Sequence, residues 1–279
     1  MNAPPPRPSL TPLREVIAAH GLAARKGLGQ HFLLDLNLTA KIARLTEAGP
    51  GDAVLEVGPG PGGLTRALLD TGAGVLAIER DERVVPILEE MRAAYEGRLS
   101  WVSGDALRAD EPTLLPRGSA IIASNLPYNI STELLVKWLT ASPRWWSRMV
   151  LMFQREVGDR ILAGPGTKTY GRLSVLAQLG SRPSLGFHLP ARAFTPPPKV
   201  DSSVLVFEAT EQPAWLPALE RITAGAFGQR RKMVRTSLKP VFGEGLGAAL
   251  AEAGVPETAR AEAIAPDQYA RLARALTGR

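Results

Sequence analysis

The chain has 279 residues, 45% of them hydrophobic, enough to bury a real core and to hold one large domain and one small one. Lysine and arginine outnumber aspartate and glutamate by 33 to 27, and the net charge of +6 favours an acidic partner. With no cysteine and only His20, His31 and His188, disulfides and thiolate chemistry are excluded, and a zinc site has almost nothing to be built from.

The first eight residues contain four prolines and little to bury, so residues 1–10 are expected to be disordered. They lack the apolar stretch of a signal peptide, and no later run approaches the ~20 apolar residues of a membrane span. A cytoplasmic protein is the expectation. Thr11 as N-cap, Pro12 at the first helical position and Gly21 beyond the end bracket a short helix. The stretch Arg25 to Leu33 has no helical period and reads as a loop that closes over something. A helix from Leu36 to Glu47 follows, with Leu38, Ile42 and Leu45 on one face.

From Ala53 apolar runs alternate with amphipathic ones. Ala53–Val57, Val75–Ile78, Leu99–Val102, Ala120–Ala123 and Met149–Phe153 read as strands; Leu64–Asp70, Glu82–Tyr95 and Thr132–Thr140 read as helices. This βαβ rhythm predicts an α/β fold with a mostly parallel sheet. Leu185–Leu189 and Val204–Phe207 are expected as an antiparallel pair at one edge. Strand signals stop near Gln212-Pro213, and the remainder reads as helices alone. The division expected is therefore 11–211 for the α/β domain and 212–279 for a small all-helical one.

Four strand ends carry polar groups where open α/β sheets bind ligands. The turn Glu56-Val57-Gly58-Pro59-Gly60-Pro61-Gly62-Gly63 follows the first of these strands, with Gly58, Gly60 and Gly63 in GxGxxG spacing. Glu79 closes the second strand, where a carboxylate can accept both hydroxyls of a ribose. Together they imply an adenosine-containing cofactor, and a nicotinamide dinucleotide competes on near-equal terms. Asp105 ends the third strand and reads equally as an acceptor for an adenine amino group or as a helix N-cap. After the fourth comes Asn125-Leu126-Pro127-Tyr128: an amide acceptor, a fixed φ and a flat π face, suited to a planar base carrying an amino group. Nicotinamide enzymes do not need this tetrapeptide, which shifts the balance to a methyl donor.

These motifs, with Gln30-His31-Phe32-Leu33 before them and Phe194-Thr195-Pro196-Pro197-Pro198-Lys199-Val200 and Ser202 after them, occur in the order of one family. The chain resembles the S-adenosylmethionine-dependent ribosomal RNA adenine dimethyltransferases from Arg25 to its last helix, and most of all the small-subunit branch. The resemblance implies a Rossmann-like class I S-adenosylmethionine-dependent methyltransferase sheet with a small all-helical C-terminal domain. It implies S-adenosyl-L-methionine as cofactor, and small-subunit (16S) rRNA in an assembling small ribosomal subunit as partner. It also implies that His31 and Leu33 line the cofactor pocket, that Gly58 lies beside the methionine part, that Glu79 holds the ribose and Asp105 the adenine, and that Asn125 touches cofactor and target. Many family members have Asn where this chain has His31. The Asn125 amide oxygen and the Leu126 carbonyl can accept the two N–H bonds of the target amino group, while Tyr128 and Phe194 can hold the base by stacking.

Arg221 to Gly243 carries six cations and no acid. At helical spacing Arg231, Arg235 and Lys239 share a stripe, while Phe227, Val234 and Leu238 fall on another face. Such a run alone is as readily a solvated face as a nucleic-acid surface. The resemblance over Phe227 to Lys232 makes Arg230, Arg231, Lys232 and Arg235 the expected RNA contacts. Nothing in the sequence signals an oligomer interface, so a monomer is expected.

Overall fold

The structure, a computed structural model, describes residues 8–25, 29–115 and 118–278. The disorder expected of residues 1–10 concerns mainly residues 1–7, which lie outside the described residues; Leu10 is partly buried against the core. Nine strands are described: β1 (Phe32–Leu33), β2 (Ala53–Val57), β3 (Gly74–Glu79), β4 (Leu99–Ser103), β5 (Ala120–Ser124), β6 (Trp146–Gln154), β7 (Ser181–Leu189), β8 (Phe194–Thr195) and β9 (Ser202–Ala209). The α-helices are α1 (Leu13–Ala19), α2 (Leu36–Thr46), α3 (Gly63–Leu69), α4 (Val85–Ala94), α5 (Glu111–Leu114), α6 (Ser131–Leu139), α7 (Arg155–Ile161), α8 (Arg172–Gly180), α9 (Leu216–Gly228), α10 (Val234–Ser237), α11 (Lys239–Phe242), α12 (Leu246–Ala253) and α13 (Pro266–Thr277). None is long and apolar enough to cross a membrane among the described residues.

Seven strands form one sheet in the order β4-β3-β2-β5-β6-β9-β7. The pairs β3–β4, β2–β3, β2–β5 and β5–β6 are parallel, with Val57 opposite Ile78 and Glu79 opposite Ser103. The chain builds outward from β2 to β3 and β4, then returns to place β5 on the other side of β2. That reversal opens a crevice at the carboxyl ends of β2 and β5. Val54, Leu55, Ile122 and Ala123 are wholly buried there, as strands covered on both faces require. β7 and β9 are neighbours at the far edge.

The chain divides into two compact units. One comprises Met1–Leu134, Trp145–Arg155 and Leu185–Val206; the other comprises Leu135–Arg144, Glu156–Ser184 and Phe207–Arg279. In the first, Asp35 caps α2 by accepting the N–H groups of Asn37 and Leu38, and Ile42 and Ala43 turn inward onto the sheet's core. The cap of α1 is Pro12 rather than Thr11, and no side chain bonds to it. A small antiparallel pair, β1 with β8, sets Phe32 opposite Thr195 and Leu33 opposite Phe194.

In the second unit α8, α9, α12 and α13 pack round an aromatic row. Phe227 lies edge-on to Tyr170 at 6.1 Å and stacks on Tyr269 at 5.9 Å. The two buried phenols donate to the carbonyls of Ile264 and Ala261 at 2.9 and 3.0 Å. Burial pushes both phenol pKa values up, so they stay protonated donors.

Candidate active site

The carboxyl ends of β2, β3, β4 and β5, together with residues Gly29 to Leu33, line one cavity of about 190 Å³. His31, Leu33, Gly58, Glu79, Asp105, Asn125, Leu126 and Tyr128 all reach its wall, so sequence positions nearly a hundred residues apart meet in one place. Among the described residues no group of acids and histidines is arranged to hold a metal ion.

The glycine turn is tight for two separate reasons. Gly60 sits at φ +52°, and its N–H donates to Glu79 Oε2 at 3.3 Å. Gly63 has no left-handed φ, but a Cβ there would stand 2.7 Å from the Leu33 carbonyl, so only glycine lets β1 approach the start of α3.

Glu79 Oε1 accepts the N–H groups of Arg80 and Asp81 at 2.8 and 2.7 Å. Burial raises its pKa and these backbone donors oppose the rise, which keeps the carboxylate aimed rather than free to rotate. The long bond from Gly60 is the one a ribose hydroxyl can join or replace. Asp105 heads a turn rather than a helix: Oδ1 accepts the Leu107 N–H at 3.0 Å, so it is no helix N-cap, and the residue lines the cavity.

Glu56 was not among the expected site residues. It lines the cavity with its side chain wholly desolvated, and its Oε2 has no hydrogen-bond partner. Burial drives its pKa up to about 8; the Thr65 hydroxyl opposes the shift and the Glu79 charge adds to it. Thr65 lies close without completing a bond. A buried carboxyl with an unpartnered oxygen, on a residue that lines a cavity, suits a cationic group, because a cation would restore the ionised form. The only sequence signal was an acid at the end of an otherwise apolar strand.

Asn125 is held by its amide nitrogen, which donates to the His31 carbonyl at 3.1 Å. That bond fixes the amide orientation and leaves Oδ1 as the acceptor beside the cavity. The His31 ring stands 5.7 Å from the Tyr128 ring, tilted 30°, and bonds through Nδ1 to the Pro196 carbonyl at 2.8 Å. A carbonyl only accepts, so Nδ1 carries the hydrogen. The Tyr128 hydroxyl shares a 2.7 Å hydrogen bond with Ser202 Oγ, and Ser131 Oγ donates to the Tyr128 carbonyl. The aromatic face is thus anchored at both ends.

Phe194 is placed differently from the expectation that it stacks on the target base. It is 2% exposed, packs in the core and does not reach the cavity wall. The register explains this: in the β1–β8 pair Phe194 lies opposite buried Leu33, while the next residue, Thr195, turns outward.

In the helical unit the expected cationic stripe is not a helix face. α9 ends at Gly228, Gln229 to Lys232 form a turn, and Met233 makes an isolated bridge to Arg260 before α10 begins. Arg231, Lys232 and Arg235 are exposed. Arg230 is engaged instead, donating to the Lys168 carbonyl at 2.9 Å and lying 3.6 Å from Glu262. Lys239 pairs with Glu244 at 2.9 Å.

A family model described as ribosomal RNA adenine dimethylase matches residues 21–277. The chain belongs to that family. It is 55% identical over 274 residues to the ribosomal RNA small subunit methyltransferase A of Maricaulis maris (strain MCS10), covering 95% of each chain. With the protein of that name from Phenylobacterium zucineum (strain HLK1) the identity is 53%, over 97% of this chain and 94% of the other. Among solved structures, the 23S rRNA methyltransferase ErmE is 28% identical with a TM-score of 0.66, over 88% of this chain and 99% of the other. A dimethyladenosine transferase from Plasmodium falciparum superposes with a TM-score of 0.71 at 24% identity, over 87% and 96% of the two chains, and shows the shared fold. The chain is thus an rRNA adenine dimethyltransferase on the α/β methyltransferase sheet expected from its sequence.

Proposed function

We propose that this enzyme uses S-adenosyl-L-methionine to dimethylate N6 of two adjacent adenines in a hairpin loop near the 3′ end of small-subunit (16S) rRNA, on an assembling small subunit. The observation that carries the reading is the convergence of Glu56, Glu79, Asp105 and the Asn125 amide on one cavity. That donor set fits the cofactor. Glu56, with its open Oε2, suits an ammonium; Glu79 suits a ribose diol; Asp105 has a second carboxylate oxygen for an adenine amino group.

When bound, S-adenosyl-L-methionine supplies a strongly electrophilic sulfonium methyl. The protein's task is therefore position. Asn125 Oδ1 and the Leu126 carbonyl accept the amino N–H groups and favour a pyramidal nitrogen with its lone pair directed along the line of transfer. Tyr128, braced by Ser202 and His31, stacks on the flipped base. Water takes the proton released once nitrogen carries the new methyl. After the first transfer one N–H remains, so stacking on Tyr128 carries more of the second. We propose that Phe194 acts beneath β1, holding His31 to Leu33 against the cavity.

We assign 212–279 to RNA binding, with Arg231, Lys232 and Arg235 on phosphates and Arg230 holding the Lys168 segment. RNA contact there is electrostatic and shape-based. The first test is calorimetric titration with S-adenosylhomocysteine and, separately, NAD. Saturable binding of S-adenosylhomocysteine is expected; binding of NAD alone would contradict the reading.

A further inference from the structure

Residues Gly29 to Leu33 form one wall of the cavity, and most of what fixes them has been described: β1 pairs with β8, and Asn125 holds the His31 carbonyl. A further anchor lies outside the cavity. Asp81 is 3% exposed and lines no part of the pocket, yet Oδ2 accepts Gln30 Nε2 at 3.1 Å and Arg83 Nη2 at 2.5 Å. Oδ1 accepts Arg83 Nε at 2.9 Å. Arg83 reaches on to the carbonyls of Gly21 and Ala23 at 3.2 and 3.4 Å, and Gln30 Oε1 accepts the Arg25 N–H at 2.9 Å. Both flanks of the N-terminal segment therefore meet on one carboxylate–guanidinium pair. The same Asp81 donates its backbone N–H to Glu79 Oε1, the carboxylate assigned to the ribose.

We propose that Asp81 and Arg83 are positioning residues for the cofactor, forming a latch that fixes Gln30 and the wall behind it while setting the orientation of Glu79. The inference rests on the S-adenosylmethionine reading of the cavity. An ordinary surface ion pair contributes little, but this carboxylate is buried, charge-assisted on two sides and bonded to the Gln30 side chain. Its pKa is held down to about 2, chiefly by the Arg83 hydrogen bond, so the latch stays ionised through the neutral range. Losing it leaves β1 paired but frees Gln30, so the wall opens more often and ligand escapes faster.

The test is stopped-flow dissociation of S-adenosylhomocysteine from the full-length protein and from the variants Asp81→Asn, Gln30→Ala and the two combined. Methyl transfer to unmethylated small subunits and amide exchange at Gln30 to Leu33 are followed alongside. Each single variant is expected to speed dissociation about tenfold, the loss expected of a charge-assisted hydrogen bond. The combined variant should be scarcely worse than Asp81→Asn, because both remove one contact. The loss should appear in KM for the cofactor rather than in kcat, with faster exchange at Gln30 to Leu33. Unchanged dissociation in Gln30→Ala, which leaves the Asp81–Arg83 pair intact, would overturn the latch even if Asp81→Asn does not fold. Additive effects, or a fall in kcat with KM unmoved, would overturn it as well. Failure of the unmodified protein to bind S-adenosylhomocysteine would instead remove the cofactor reading beneath it.

Discussion

In the α/β unit the cavity is lined by buried Glu56 and Glu79 and by half-buried Asp105 and Asn125, with Glu79 held by backbone donors, whereas in the helical unit the cations Arg231, Lys232 and Arg235 around the α9–α10 turn stand exposed. The first kind of site depends on individual groups, because a desolvated acceptor has no substitute and salt does not screen it. The second depends on how many charges are displayed, and salt weakens all of them together. We propose that the first serves the geometry of transfer and the second the holding of a polyanion. Four perturbations separate the two roles.

The largest effect is expected at Asn125. Replacement by alanine removes the acceptor beside the target nitrogen, and single-turnover methyl transfer should fall by about a hundredfold or more, while S-adenosylhomocysteine binding weakens only a few-fold. Equal losses in both would mean that Asn125 serves the cofactor alone.

Phe194 and Tyr128 sharpen the contrast within the first unit. Phe194→Ala should cost about 3–5 kcal/mol of stability as a core truncation, measured by denaturant unfolding. Phe194→Leu should recover most of that stability and most of the transfer. Tyr128→Ala should lower the second methylation more than the first and shift stability less. A Phe194→Leu protein that is stable but inactive would restore stacking to Phe194.

Glu56 gives a pH signature. Its carboxyl titrates at about 8 in the folded protein against 4.5 as a free side chain, so the folded state binds the extra proton between those values. Ligand-free protein should then lose stability as pH rises from about 4.5 to about 8, and Glu56→Gln should flatten that part of a melting-temperature profile. At pH 7 the binding of S-adenosylhomocysteine should release close to one proton as its ammonium ionises Glu56, read from calorimetry in buffers of different ionisation heat. No proton release would remove Glu56 from the ammonium site.

The smallest individual effects belong to the helical unit. Arg231→Ala, Lys232→Ala and Arg235→Ala should each weaken RNA binding and reduce the slope of log affinity against log salt by about 1. Arg230→Ala should change the slope less and the melting temperature more, because its guanidinium already serves Lys168 and Glu262. Four equal slope changes would make Arg230 a phosphate contact like the rest.

The sequence made much of this legible, and the exceptions have physical causes. Buried parallel strands are apolar runs, so β2 to β6 were found, Ala53–Val57 to the residue and the others short by one to three positions at their ends. The cavity residues were readable because each sits at a strand end beside a glycine, a proline or an acid. β1 and β8 were not, since strands of two residues have no period and their pairing joins positions more than 160 apart. The Phe194 register follows from that unseen pairing. The stripe of Arg231, Arg235 and Lys239 failed because no single helix carries it: Arg231 lies in the turn before α10, Arg235 in α10, and Lys239 opens α11 after a break at Leu238. Glu56 escaped notice because desolvation is a property of the fold around a residue, and Asp81 because its partners Gln30 and Arg83 lie on both sides of it in sequence, one of them 51 residues away.

The most direct test of the account is to supply labelled S-adenosyl-L-methionine and unmethylated small ribosomal subunits to the purified protein and map the label on the rRNA. The expected result is two methyl groups on N6 of each of two adjacent adenines in one loop near the 3′ end, with incorporation greatly slowed in Asn125→Ala. Label on another base or on large-subunit rRNA alone, or no label despite S-adenosylhomocysteine binding, would contradict it.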